Sequence, residues 1–157
     1  MSAVLIGGDP GIGKSTLLLQ AALEVATQGT VLYVSGEESE RQIKMRAARL
    51  LAPIGGTVPS QRGGGFPEDL FLVTETNLNT IFEHVTDTRP RLLVIDSIQT
   101  AYMPELESSA GSVTQVRETA SRLRELAKSS GIAVFIIGPR VLEHIVDTVL
   151  YLEGDRF

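Results

Sequence analysis

The chain has 157 residues, 43% of them apolar and 21% charged, which suits one compact domain with its own core and excludes bulk disorder. Fourteen Lys and Arg stand against 19 Asp and Glu, a net charge of −5, which argues against strong polyanion binding by the domain on its own. With no cysteine, disulfides and thiolate metal sites are excluded. The longest purely apolar stretch, 132–137, is far too short to span a bilayer, and Met1-Ser2-Ala3 opens no signal peptide, so no membrane association and a cytoplasmic location are expected.

Short β-branched runs alternate with longer helical patterns. The first run, 3–6, leads into Gly8-Asp9-Pro10-Gly11-Ile12-Gly13-Lys14-Ser15, which matches G-x-x-x-x-G-K-[ST]. Glycines let the backbone wrap closely round a phosphate chain, so that successive N–H groups point at the anion. The following helix, expected over 15–27, adds its positive N-terminal end. Lys14 is a point charge for the β- and γ-phosphates and the Ser15 hydroxyl a Mg²⁺ ligand. Gly8, Asp9, Pro10, Gly11, Ile12, Gly13, Lys14, Ser15 and Thr16 are therefore the candidate contacts for ATP or ADP, with Lys14 also a candidate catalytic residue. A dinucleotide fingerprint is the weaker reading, because Gly11-x-Gly13-x-x-Thr16 ends in Thr where Gly or Ala is required.

The second run, 31–34, continues into Ser35-Gly36-Glu37-Glu38-Ser39. Hydrolysis needs a base or water-positioning group opposite the γ-phosphate, and a carboxylate just past a strand of the same sheet edge has that place. Glu37 is preferred over Glu38 as the catalytic base. The alternative is that both acids decorate the first turn of a helix over 39–51, which favours acids. That helix carries Arg41, Lys44, Arg46 and Arg49, read as a solvated face, with a subunit or DNA contact as the other reading. Residues 53–68, with Pro at 53, 59 and 67 and Gly at 55, 56, 63, 64 and 65, read as a mobile surface loop inside one domain, since the alternation resumes with a strand at 70–73 and a helix at 77–88.

The run 92–95 ends in Asp96. In a parallel sheet that carboxylate emerges at the carboxyl edge beside the phosphate loop, where it holds Mg²⁺ through water; Asp96 joins Ser15 as a metal candidate. Segment 102–111 is polar and loop-like. Its own charges, Glu105 and Glu107, disfavour phosphate, and it is open between a plain surface loop and a DNA-facing one. The helix 112–130 is the clearest: Val113, Val116, Ala120, Leu123 and Ala127, at spacings of 3, 4, 3 and 4, predict one buried stripe, with Glu118 and Arg122 off it and Gly131 as the stop. Runs 132–137 and 148–152 complete the set. His84 and His144 have no partners at ligand spacing and read as structural. Most strand candidates are continuous apolar runs, the mark of strands covered on both faces. The expected fold is α/β, a mainly parallel sheet with helices on both faces, in a single domain over residues 1–157.

Together these features resemble the RecA-like P-loop ATPases, and most closely the central ATPase domain of the bacterial RadA/Sms DNA-repair family. The resemblance is carried by Leu5-Ile6-Gly7-Gly8-Asp9-Pro10-Gly11-Ile12-Gly13-Lys14-Ser15-Thr16-Leu17-Leu18-Leu19-Gln20 and Tyr33-Val34-Ser35-Gly36-Glu37-Glu38-Ser39. It continues with Val94-Ile95-Asp96-Ser97-Ile98-Gln99-Thr100, Gly111-Ser112-Val113-Thr114-Gln115-Val116-Arg117-Glu118 and Pro139-Arg140-Val141-Leu142-Glu143-His144, then runs from Asp147 through Asp155. It implies a homo-hexameric, ssDNA-stimulated, Mg²⁺-dependent ATPase that drives branch migration on recombination intermediates.

In that family a four-cysteine zinc module precedes this domain, and a Lys-Asn-Arg-Phe-Gly motif and a Lon-protease-like domain follow it; the chain shows neither. Gly138 also runs straight into Pro139-Arg140, where the family has a polar loop with a His-Val-Thr-Lys-type sensor and DNA-contacting residues. Nucleotide binding with very slow hydrolysis, little ssDNA stimulation and a monomeric or weakly associated state are therefore expected of these 157 residues alone. Arg140 faces either a neighbour's nucleotide or a structural ion pair. Two rival functions stand beside this one: a KaiC-like signalling ATPase or kinase, which shares the paired Glu, and a nucleotide-binding fragment unable to turn over.

Overall fold

The computed structural model describes residues 2–9, 11–51 and 66–154; Pro10 and most of the expected 53–68 loop lie outside the described residues. In chain order the elements are β1 (Ala3–Gly8), α1 (Lys14–Val25), β2 (Val31–Ser35), α2 (Glu40–Leu51), β3 (Leu70–Thr74), α3 (Leu78–Thr88), β4 (Leu92–Asp96), α4 (Val113–Ser130), β5 (Ala133–Ile137), a 3₁₀ turn (Arg140–Leu142) and β6 (Thr148–Leu152). The six strands form one sheet in the order β3-β2-β4-β5-β1-β6, every pairing parallel.

The apolar runs explain the layering. All five residues of β2 and the first four of β4 are buried, as expected of central strands covered on both sides. Successive side chains point to opposite faces. Leu5, Leu32, Val34, Leu93, Ile95, Val134 and Ile136 enter one core with α3 and α4. Ile6, Val31, Tyr33, Leu92, Val94 and Ile137 enter the other with α1 and α2. The edge strands β3 and β6 are only half-covered, leaving Phe71 and Leu150 exposed. This is the expected α/β architecture, a RecA-like core.

Strand and helix limits match the sequence reading to within two residues, and two differences have physical causes. β1 continues past residue 6 because Gly7 and Gly8 pair with Tyr151 and Leu152 of β6. The Tyr151 ring lies so close over Gly7 that an added Cβ would clash with it. In α4 the expected stripe is displaced: Val113 is 57% exposed, whereas Gln115 and Thr119 are buried along with Val116, Ala120, Leu123 and Ala127.

Gln115 is buried because the backbone of segment 102–111 satisfies it. Its Nε2 donates to the carbonyls of Met103 (3.1 Å) and Ser108 (2.9 Å), and its Oε1 accepts from the Met103 N–H at 2.9 Å. The segment is thus a tethered loop. Tyr102 also bonds through its backbone to Thr76 and Leu78, and the Asn79 side chain donates to Glu105, holding that carboxyl below its ordinary range. Gln115→Ala would leave the Met103 N–H and the Ser108 carbonyl without these partners, while the Met103 carbonyl keeps the Leu106 N–H. The expected loss is about 2–3 kcal/mol in urea unfolding, with a native far-UV spectrum retained.

Candidate nucleotide-binding site

The sheet order brings the candidate residues to one edge. β5 lies between β1 and β4, so the carboxyl ends of β1 and β4 are two strand widths, about 10 Å, apart. β2 is the next neighbour of β4, which places Ser35 opposite Asp96 and Glu37 just beyond.

The loop between β1 and α1 owes its path to glycine. Gly11 and Gly13 have φ of 80° and 102°, left-handed values that other residues adopt only with strain, while nothing lies within 4 Å of a Cβ added at either. Backbone shape, and not lack of space, is what requires glycine there. Gly13 caps α1 without a side-chain hydrogen bond, and the first turn of α1 holds no acid. The opening N–H groups of the helix therefore keep the unsatisfied donors and positive end that favour an anion. Lys14 Nζ folds back to donate to the Gly8 carbonyl at 2.7 Å, so the cation already spans the loop. Ser15 is half-buried and Thr16 exposed beside it.

Asp96, half-buried at the end of β4, accepts a 2.8 Å hydrogen bond at Oδ2 from the hydroxyl of Tyr33, which is fully buried. Burial, and after it the Asp96 carboxylate, push the Tyr33 phenol far above its ordinary range, so it stays a donor. Ser15 Oγ and the Asp96 carboxylate are hard oxygen donors. Among the described residues no three His, Cys, Asp or Glu gather anywhere. Two protein oxygens, completed by phosphates and water, fit the manner in which Mg²⁺ is held, and not that of an all-protein cage.

Glu37 and Glu38 stand in a turn ahead of α2, not in its first turn as the alternative reading had it. The two differ sharply. Glu37 is exposed; Glu38 is half-buried and paired to Arg46 at 2.7 Å, with its N–H donating to Ser35 Oγ at 3.1 Å. The turn itself is pinned. Ser39 and Gln42 form a reciprocal capping box, at 2.9 and 3.2 Å. The Gly36 N–H donates to the Asp96 carbonyl at 3.1 Å, and Thr100 presses on Gly36 so closely that a Cβ there would clash with its Oγ1.

The remaining candidates separate. On α2, Arg41 and Arg49 are exposed and Lys44 pairs with Glu40 at 3.0 Å, as a solvated face requires, but Arg46 turns inward to Glu38. His84 and His144 belong to no metal-ligating cluster among the described residues. Arg140 stacks on the Tyr151 ring, 4.6 Å from its centre, with no carboxylate partner among the described residues. Together with Gly8, Asp9, Gly138 and Glu153, the pair lines a cavity of about 420 Å³ beside the phosphate loop. At the junction, Gly138 donates to the Ile6 carbonyl (3.3 Å) and Pro139 opens the 3₁₀ turn that buries Leu142.

Sequence reading missed Tyr33, Ser35 and Arg46. Tyr33 carried a signal, a hydroxyl in the middle of an apolar strand that needs a partner. Arg46 lies three residues after Ile43 and four before Leu50, on the buried side of α2.

A family described as "AAA domain" matches residues 1–138. The chain belongs to this AAA domain family. DNA repair protein RadA of Streptococcus pneumoniae is 50% identical to this AAA domain over 165 aligned residues, covering 99% of the chain and 36% of the relative. The proteins of the same name from Synechocystis and Pseudomonas aeruginosa are 51% and 48% identical, covering 98% of the chain and 34% and 33% of their own lengths. The resemblance to the RadA/Sms family is borne out, and the AAA domain spans about a third of these relatives. The alignment of 165 positions against a chain of 157 shows that the S. pneumoniae protein has at least eight residues that this AAA domain lacks within the matched stretch. Among solved structures, one described as an ATPase domain superposes with a TM-score of 0.76 at 16% identity, over 98% of this chain and 69% of that one. A KaiC-like protein from Pyrococcus horikoshii does so at 0.70 and 21%, over 97% and 72%. At such identities the likeness is one of fold. No helix among the described residues is long and apolar enough to cross a membrane.

The unequal settings of the two glutamates predict unequal stability effects. Glu38→Ala removes the partner of a largely buried guanidinium and should cost about 1–2 kcal/mol in thermal or urea unfolding. Glu37→Ala should leave the midpoint unchanged within about 0.5 kcal/mol.

Proposed function

We propose that this AAA domain binds Mg²⁺ and ATP and hydrolyses the nucleotide as the motor core of a DNA recombination and repair protein. The observation that carries the reading is the meeting, at one sheet edge, of a glycine-shaped loop with unsatisfied N–H groups, an Asp held by a buried Tyr, and an exposed Glu on a pinned turn. Identity of about half the residues to proteins named DNA repair protein RadA supports the repair setting.

In this reading the N–H groups from Gly11 to Thr16 cradle the phosphates, and Lys14 exchanges the Gly8 carbonyl for phosphate oxygens. Ser15 and Asp96 would hold Mg²⁺, which would supply neutralising charge to the phosphate oxygens. Glu37 accepts a proton from a water that attacks the γ-phosphorus; the bond to the bridging oxygen breaks, and ADP and phosphate leave. Glu38 is engaged with Arg46 and holds the turn. Binding of ssDNA and recombination intermediates, a homo-hexamer and a cytoplasmic setting belong to the proposal for the longer protein. For the 157 residues alone we propose slow hydrolysis and weak association, since the matched stretch is at least eight residues shorter than in the S. pneumoniae relative.

Four experiments test this. Lys14→Ala should weaken ADP binding by calorimetry about 100-fold while the melting temperature holds; unchanged affinity refutes the site. In single-turnover phosphate release by the longer protein, Glu37→Gln should slow hydrolysis ~10²-fold with ADP affinity retained, and Glu38→Gln should do less. Transfer of radiolabelled γ-phosphate to the protein itself would favour a kinase instead. Sedimentation velocity and phosphate release with and without poly-dT should show a monomer or weak oligomer with little stimulation; a stable hexamer stimulated several-fold would overturn that part.

A further inference from the structure

Tyr33 is the largest fully buried side chain among the described residues, and it sits in the core shared by β2, β4, α1 and α2. Phenylalanine would fill that space equally well, and a buried hydroxyl without a partner is costly, so the oxygen is accounted for by what it touches. Among the described residues its hydroxyl makes one hydrogen bond, to Asp96 Oδ2, at 2.8 Å across 63 residues of sequence. The β2–β4 register sets Tyr33 opposite Val94, and the ring leans along the strand to reach Asp96 two residues on. Asp96 Oδ1 accepts no hydrogen bond among the described residues. The Arg46 charge opposes the rise that burial and Asp96 impose on the phenol, and Glu38 holds Arg46 at 2.7 Å. The four side chains Glu38, Arg46, Tyr33 and Asp96 thus line up beneath the site, from the Glu37 turn to the end of β4.

We propose that Tyr33 is a positioning residue for the metal: its hydroxyl fixes Oδ2 of Asp96 and so presents Oδ1 to the water shell of Mg²⁺. The inference rests on the reading of Asp96 as a Mg²⁺ ligand. Outer partners of metal-holding carboxylates set affinity without touching the ion. A Phe at this position keeps the core filled and removes only the constraint.

The test measures ADP binding to the 157-residue protein by calorimetry, in excess EDTA and over a Mg²⁺ series, for the parent, Tyr33→Phe and Asp96→Asn. Tyr33→Phe should keep the EDTA affinity and raise the half-saturating Mg²⁺ concentration ~10-fold. A purely structural tyrosine would lower the melting temperature and leave the Mg²⁺ series alone. A Mg²⁺ series for Tyr33→Phe that overlays the parent, while Asp96→Asn loses its Mg²⁺ response, overturns the role of Tyr33 and leaves the Asp96 reading intact. An unchanged response in Asp96→Asn overturns both. If Tyr33→Phe does not fold, 3-fluorotyrosine labelling of the parent serves instead. Of the three tyrosine resonances, the one remaining after assignment by Tyr102→Phe and Tyr151→Phe should shift when Mg²⁺ is added to the ADP-saturated protein, and no shift overturns the proposal.

Discussion

Because helices cover both faces of the central sheet, its chemistry is confined to the places where strands end. β2 and β4 have no exposed apolar position at all, and their side chains are divided between two cores. A polar group that must meet solvent or ligand therefore has to stand at residue 35, 96 or beyond. The parallel direction of all six strands puts these carboxyl ends on one side. The insertion of β5 between β1 and β4 sets the remaining dimension: it spaces the glycine loop from Asp96 by the breadth of a phosphate and a hydrated ion, and leaves β2 adjacent to Asp96 on the far side.

That the glycine loop, Asp96 and Glu37 stand at one sheet edge was legible in the sequence because each is a local signal. A residue type at fixed spacing after an apolar run needs no knowledge of which strands pair. The fold class was legible for a related reason, since continuous apolar runs alternating with 3.6-periodic stretches admit few arrangements. What lay beyond reach was cross-strand. The bond from Tyr33 to Asp96 depends on β2 pairing with β4 and not with β1, and nothing within the segment 31–39 announces that neighbour. In α4 and α2 the failure was of another kind. Counting apolar residues alone put Val113 in the stripe and left Gln115, Thr119 and Arg46 out of it. Gln115 and Thr119 are buried and Arg46 is half-buried, and two of them, Gln115 and Arg46, offset this with hydrogen bonds.

The contrast between Glu37 and Glu38 shows how a sheet edge assigns different duties to identical side chains one residue apart. Glu38 turns back over the end of β2, its carboxylate engaged by Arg46 and its N–H by Ser35 Oγ, whereas Glu37 is left in water. Removal of the structural acid would loosen the base that the exposed one stands on, so the two cannot be regarded as redundant.

One contact gives this edge a mechanical property. Gly36 and Thr100 meet with no room for even a methyl group between them, Thr100 is tied to the Ser97 carbonyl at 2.8 Å, and the chain runs on from Thr100 into the tethered segment that Gln115 clamps. The turn bearing Glu37 and the turn following Asp96 therefore mesh like two teeth with no backlash. Any residue larger than glycine at position 36 would have to spread these two turns, and with them the carboxylates they carry, before it could fit.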